Sequence, residues 1–134
     1  MRVFIDSNIP MYVAGAEHEN RERARRFLER VRAAKVDACT STEVLQEILY
    51  RYSSIGRLDL ARQVYDLFVN ICPVVLNATL ADTDRARDLL CVSAGVSARD
   101  AVHAGVMLNH EIEWIATFDA GFDRIPGLRR LKME

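Results

Sequence analysis

Four acidic residues carry the chemistry that this chain's residue types most clearly allow: Asp6, Glu47, Asp100 and Asp119. Acids that converge on one cleft repel each other unless something neutralises them. A hard divalent cation does this well. Mg2+ and Mn2+ prefer oxygen ligands, and Mg2+ keeps several waters while using one or two carboxylates plus substrate phosphates. A cation so held activates water and neutralises charge on a phosphate, which is the chemistry of phosphodiester hydrolysis. Rival sites are absent. The cysteines (Cys39, Cys72, Cys91) form no C-x-x-C pair, and with His18, His103 and His110 they make no zinc-binding spacing. There is no glycine-rich loop of the P-loop type. A phosphoacceptor role for Asp6 lacks its second Asp two residues on, where Asn8 stands, and a plausible downstream Lys.

Each acid also has a plainer role open to it. Asp6 follows an apolar run, where turn and N-cap residues are common. Asp100 stands three residues after Ser97 and fits a capping box, as Glu43 does with Thr40. Glu47 precedes Arg51 by one helical turn, an ordinary surface pair. Asp119 and Asp123 suit turns. Thr117 could hold a water or a neighbouring acid, or simply suit a strand. His103, three residues after Asp100, reads as a packed, hydrogen-bonded histidine.

These residues need elements to position them. Arg2 to Ile5 reads as a buried strand that ends at Asp6, and Ser7 suits the cap of a helix running toward Gly15, with Pro10 tolerated in its first turn. A second helix starts near Asn20, with Ala24, Phe27, Leu28 and Val31 on one stripe. Val36 to Cys39 is the second strand. Thr40 then opens a helix with Val44, Leu45, Ile48, Leu49 and Tyr52 inward and Gly56 at its end. The helix from Asp59 to Ile71 turns Leu60, Val64, Leu67, Phe68 and Ile71 inward, before a strand at Val74 to Leu76. Helices from Leu80 to Ser93 and from Ser97 follow. The second has a small face, Ala101, Ala104, Gly105 and Leu108, suited to close packing on a sheet. Trp114 to Thr117 is the fourth strand, Phe118 to Asp123 a loop or short turn, and Leu128 to Leu131 a last strand. Strands separated by helices need crossovers, so the fold class expected is α/β: a three-layer α/β/α sandwich on a central parallel sheet. Asp6, Asp100 and Asp119 then share one rim, at strand ends and helix starts, where such sheets bind ligands. Glu47 lies one turn further along its helix.

Composition bounds the rest. The 134 residues fit one domain, residues 1–134, with 50% hydrophobic and 28% charged residues. The net charge of −1 gives no global field for nucleic acid, but Arg21 to Lys35 holds seven basic residues and two acids, a net +5 that leaves −6 elsewhere. That strip is either a phosphate-steering surface or a solvated helix face. The cysteines lie among apolar neighbours and read as buried free thiols of a reducing, cytoplasmic compartment. No apolar run is long enough for a membrane span, and Asp6 interrupts the only apolar start. Tyr50, Tyr52, Tyr65 and Phe68 suit an interface or a core.

Four stretches in order resemble the PIN domain, and within it the VapC-like ribonuclease toxins of toxin–antitoxin pairs. They are Val3 to Asn8, Ser41 to Leu49, Ser97 to Ala104 and Ala116 to Phe122. Nearly the whole chain is covered. The resemblance implies an endoribonuclease that depends on Mg2+ or Mn2+ and hydrolyses RNA phosphodiester bonds. It implies that Asp6, Glu47, Asp100 and Asp119 bind the metal and are catalytic, with Asn8 and Thr117 as supporting polar residues. Within that set, Asp6 and Asp100 would hold the main cation and the Arg21–Arg32 helix would steer the RNA. It also implies a homodimer and a cognate antitoxin that threads over the site. Pro10-Met11 departs from the family's usual unbroken aliphatic turn. The competing reading is a PIN-like scaffold that binds RNA or protein without cutting, against which stands the presence of all four acids.

Overall fold

Val3, Phe4 and Ile5 have almost no contact with solvent, and that burial on both faces fits the central strand of a parallel sheet. The computed structural model describes Met1 to Glu134 and places this strand, β1 (Arg2–Ile5), in the middle of five. The others are β2 (Asp37–Ser41), β3 (Val75–Leu76), β4 (Trp114–Ala116) and β5 (Arg129–Arg130). Their order is β3-β2-β1-β4-β5 and every pairing is parallel. Phe4 lies in register with Cys39 on one side and Ile115 on the other.

Six helices connect the strands: α1 (Asn8–Ala14), α2 (Glu19–Arg32), α3 (Thr42–Ser54), α4 (Leu58–Ile71), α5 (Leu80–Val92) and α6 (Ala98–Asn109). From β1 the chain steps one way across the sheet to β2 and β3, and α5 and α6 then carry it back past β1 to β4. Right-handed crossovers put the two sets of helices on opposite faces, which gives the three layers. Accordingly α1 packs on α2 and α4, and α5 on α6. The direction reverses between β1 and β4, and an open parallel sheet has its ligand crevice at such a switch point.

The second strand lies one to two residues later than its apolar run suggests, and this moves a cap. Thr40 belongs to β2, where its hydroxyl donates to the Ile5 carbonyl at 2.9 Å. Ser41 takes the N-cap of α3, accepting from the Val44 N–H at 3.4 Å, so the Thr40–Glu43 capping box does not form. Ser7 does not cap α1 with its side chain either. The capping box that does form is Thr79 with Asp82 at the start of α5. Asp82 also accepts from Asn109 of α6 at 2.8 Å, tying the two helices together. A Cβ on Gly105 would lie 2.4 Å from the Asp82 carbonyl oxygen. Gly105, on the small face of α6, therefore serves close approach to α5. Leu49 is exposed although it sits on the expected inner stripe of α3, and Cys91 is exposed while Cys39 and Cys72 are buried free thiols.

Candidate active site

The crevice between the carboxyl ends of β1 and β4 is held shut at its base by the Asp6 N–H, which donates to the Ala116 carbonyl at 3.1 Å. That bond carries the parallel ladder one residue beyond β1 and fixes the Asp6 backbone. Its side chain is fixed as firmly. Oδ1 accepts from the Ser7 N–H at 2.8 Å, and Oδ2 accepts from the Thr117 hydroxyl at 2.7 Å and from the Asn8 amide at 3.4 Å. Thr117 Oγ1 in turn accepts from the Asn8 amide and from the Asp119 N–H, each at 3.0 Å. Asn8 and Thr117, expected as supporting residues, thus join both strand ends into one hydrogen-bonded base around Asp6. Burial pushes the Asp6 carboxyl above its usual range, and the charge of Glu47 adds to this, while His103, Thr117 and Ser7 oppose it.

Glu47 reaches the crevice from the second turn of α3. Its side chain is 14% exposed, and Oε1 lies 2.9 Å from His103 Nε2. Oε2 lies 3.4 Å from the Arg99 guanidinium, so its basic neighbour comes from α6 and not from Arg51 on its own helix. Burial works to raise the Glu47 carboxyl, but the His103 hydrogen bond and charge, with Ser7 and Arg99, bring it below the ordinary value.

His103 is the site residue that residue-by-residue reading undervalues. It is a packed, hydrogen-bonded histidine, as its type suggests, and its ring lies against Phe4 with centroids 5.9 Å apart. What it bonds to is the point. Nε2 contacts Glu47 and lies 3.9 Å from Asp6 Oδ1, so Asp6, Glu47 and His103 form the tightest ligand-type group in the fold. Burial works against the imidazolium, yet the Glu47 bond and the charges of Asp6, Glu47 and Asp100 raise the ring above its ordinary value. Nδ1 is buried without a partner. The signal that points here is the helical spacing from Asp100, which puts His103 on the same face of α6.

Asp100 stands in the first turn of α6. Ser97 caps that helix by accepting the Asp100 N–H at 3.1 Å, with no reciprocal bond from the Asp100 carboxylate. The capping-box role open to Asp100 is therefore not taken up, and its carboxylate is free. Burial, then the charges of Asp119 and Asp6, push it up to about 6. Asp119 does fill the turn role open to it: its Oδ1 accepts the Gly121 N–H at 2.8 Å and caps the 3-10 turn Ala120–Arg124. A Cβ on Gly121 would lie 3.0 Å from Asp119 Oδ1 and 3.7 Å from Asp100 Oδ2, so these two acids face a common space. Asp123 is taken up elsewhere, in a two-pronged pair with Arg130 at 2.9 Å per contact.

All four acids line one cleft of about 530 Å³. The fold pairs Asp6 with Glu47 through His103, and Asp100 with Asp119 around Gly121. A second cavity shares Glu47, Asp100 and Asp119 with it, so the two are arms of one larger cleft. One is part apolar and aromatic, with Met11, Tyr12, Tyr52 and Ile55, and Arg51 at its side. The other has no apolar lining residue and carries Arg99 and Arg124. Five of the α2 arginines expected to steer a substrate line other grooves. Arg25 is held by Glu22 and Glu29 and shares a groove with Arg32, and Arg23, Arg26 and Arg30 line a groove beside the C-terminus.

The donor set tests what this site can hold. Its oxygen donors are hard, its acids lie close enough for Asp119 and Asp6 to add to the burial that raises Asp100, and no thiolate lies in the cleft lining. That set fits a hard divalent cation of the Mg2+ or Mn2+ type and does not fit a zinc-type thiolate site.

A model of the PIN domain family matches residues 3–128. A curated VapC ribonuclease of Mycobacterium bovis is 40% identical over 129 residues, 96% of this chain and 98% of that protein. Among solved structures, VapBC2 from Rickettsia felis, bound to a promoter DNA fragment, aligns at a TM-score of 0.77 over all of both chains, with 18% identity. A toxin–antitoxin complex from Klebsiella pneumoniae aligns at 0.65 over 95% of each chain, with 17% identity. The structural likenesses speak for the shared fold. No helix is long and apolar enough to cross a membrane.

Proposed function

Because this chain belongs to the PIN domain family, we propose that it is a Mg2+- or Mn2+-dependent endoribonuclease, the toxin of a toxin–antitoxin pair, whose cation is held by Asp6, Glu47, Asp100 and Asp119. One observation carries this reading. Four acids from four separate elements line one cleft at the sheet's switch point, where burial first and then their mutual repulsion push Asp100 up to about 6. A scaffold that only binds has no use for acids crowded against their own repulsion.

Each residue then has a task. Thr117, Asn8 and the Ser7 N–H hold the Asp6 carboxylate in one orientation. His103 holds Oε1 of Glu47, and Arg99 balances Oε2. Asp100 and Asp119 complete the acidic lining, with one oxygen of Asp119 fixed by Gly121. A hard divalent cation bound among them supplies charge neutralisation for a phosphodiester and acidifies water. The aromatic arm at Tyr12 suits unpaired bases, since single-stranded RNA is recognised largely by stacking. In this reading the chain works in the cytoplasm as a homodimer and is held in check by an antitoxin protein. The neighbour from Klebsiella pneumoniae is itself such a complex, and buried free thiols suit a reducing compartment.

The test is cation add-back. Protein stripped with EDTA is inactive on a single-stranded RNA and recovers cleavage with Mg2+ or Mn2+. Cleavage that persists in EDTA contradicts the reading, and so does an absence of Mn2+ binding by calorimetry, which favours the scaffold.

A further inference from the structure

The arm of the cleft without apolar lining ends in a side chain that the site described above does not use. Arg124 is exposed, and its one hydrogen bond within the chain runs from Nη1 to the Gly95 carbonyl at 3.1 Å. It forms no ion pair, although Asp100, Asp119 and Glu47 line the same cleft. The turn that carries it is nevertheless firmly placed. Phe122 and Ile125, on either side of it in the chain, are fully buried. Asp123, its immediate neighbour, anchors the turn through the two-pronged pair with Arg130. Gly95 completes the seat: a Cβ there would lie 2.3 Å from Arg124 Nη1, and its φ of +79° is one that other residues rarely adopt. Across the arm, Arg99 is held between Glu47 and the Tyr50 ring, 5.5 Å from its centroid.

From this geometry we infer that Arg124, seated on the Gly95 carbonyl, binds a phosphate of the RNA that flanks the one being cleaved. The chemistry of the arm selects that ligand. An arginine with one donor spent on a carbonyl keeps several N–H groups for a phosphate, in the fork geometry that suits it. Walls without apolar residues favour a charged, hydrated group over a base or an apolar peptide side chain. Glu47, Asp100 and Asp119 line this arm together with the arginine. A strand whose reacting phosphate sits at the acids thus meets Arg124 with a neighbouring phosphate. The inference rests on the reading that the four acids cleave RNA.

Binding of a fluorescein-labelled 12-nucleotide single-stranded RNA tests it. The measurement uses the cleavage-blocked Asp100→Asn protein with Mg2+, at several salt concentrations, with Arg124→Gln, Arg124→Lys or Arg62→Gln added. Arg62 is exposed on α4, in a different groove, and controls for net charge. Arg124→Gln weakens binding about tenfold, as expected for losing a hydrogen bond to a charged group. It also lowers the slope of log affinity against log salt by about 0.7, one phosphate contact on a single strand. Arg124→Lys keeps the slope, and Arg62→Gln changes neither quantity. An unchanged affinity and slope in Arg124→Gln overturns the inference, as does an equal effect from Arg62→Gln. RNA cleavage by the otherwise unaltered chain is followed in parallel. If it is absent while the Arg124 effect is present, the nuclease reading falls and the phosphate seat stands. If cleavage is intact and the Arg124 effect absent, the reverse holds.

Discussion

Replacing His103 with Phe removes the one hydrogen bond of a fully buried imidazole while keeping a ring of similar shape against Phe4. Little cavity is created, so the cost is the lost contact with Glu47. Hydrogen bonds to charged groups contribute about 1.5–3 kcal/mol, and Nδ1, already without a partner, loses nothing. Unfolding entropy of about 2.1 cal/mol/K per residue gives this 134-residue chain about 0.28 kcal/mol/K, so a loss of about 2 kcal/mol lowers Tm by about 7 °C. The assay is thermal unfolding by circular dichroism in EDTA. The pH dependence has a definite sign. The folded imidazolium has a raised pKa, so its contribution is fully present below the unfolded value of about 6.5 and is lost as pH rises through the folded value. The Tm gap between the unaltered chain and His103→Phe is therefore widest near pH 6 and narrows toward pH 9. His103→Gln, which keeps an N–H donor, recovers part of it. A Phe variant that melts within about 1 °C of the unaltered chain at pH 6 refutes the reasoning, because the lost contact is worth several degrees by the same conversion.

Gly105→Ala places a methyl 2.4 Å from the Asp82 carbonyl oxygen, a backbone atom that cannot rotate aside. Overpacking of this kind costs about 1–3 kcal/mol, so Tm falls by about 4–11 °C, checked by the same unfolding measurement. Mn2+ affinity, measured by calorimetry, rises with pH through about 6, where Asp100 loses its proton. Since metal ligands must be deprotonated, one proton with that pKa makes binding about tenfold weaker at pH 5 than at pH 7.5.

Much of this site can be read from residue types, because three of its acids, Asp6, Asp100 and Asp119, lie at element boundaries, which periodicity locates well. The apolar run Val3-Phe4-Ile5 ends at Asp6, and Ser97 marks the start of α6 just before Asp100. The strand at Trp114 leads directly to Thr117 and Asp119. The sheet follows too, because strands joined through helices are forced to be parallel. What stays hidden depends on contacts distant in sequence. Thr40 and Glu43 match a capping box, but the Ile5 carbonyl, 35 positions away, takes the Thr40 hydroxyl into the sheet. The bond between His103 and Glu47 joins α6 to α3, and no local pattern encodes it. The basic strip of α2 is a pattern without an address: its most engaged member, Arg25, is spent on Glu22 and Glu29 of its own helix. The arginines that line the cleft, Arg51, Arg99 and Arg124, come singly from three separate elements.

Cleavage of a single-stranded RNA in Mg2+ by Asp6→Asn, beside Glu43→Gln, tests the acidic site most directly. Asn fits the space of the Asp6 carboxyl but cannot ionise, while Glu43 lies one turn before Glu47 on α3, outside the lining of the cleft. The expected result is loss of cleavage in Asp6→Asn with a cooperative melting transition retained, and full cleavage in Glu43→Gln. Cleavage by Asp6→Asn at the rate of the unaltered chain would contradict a cation site built on that carboxylate.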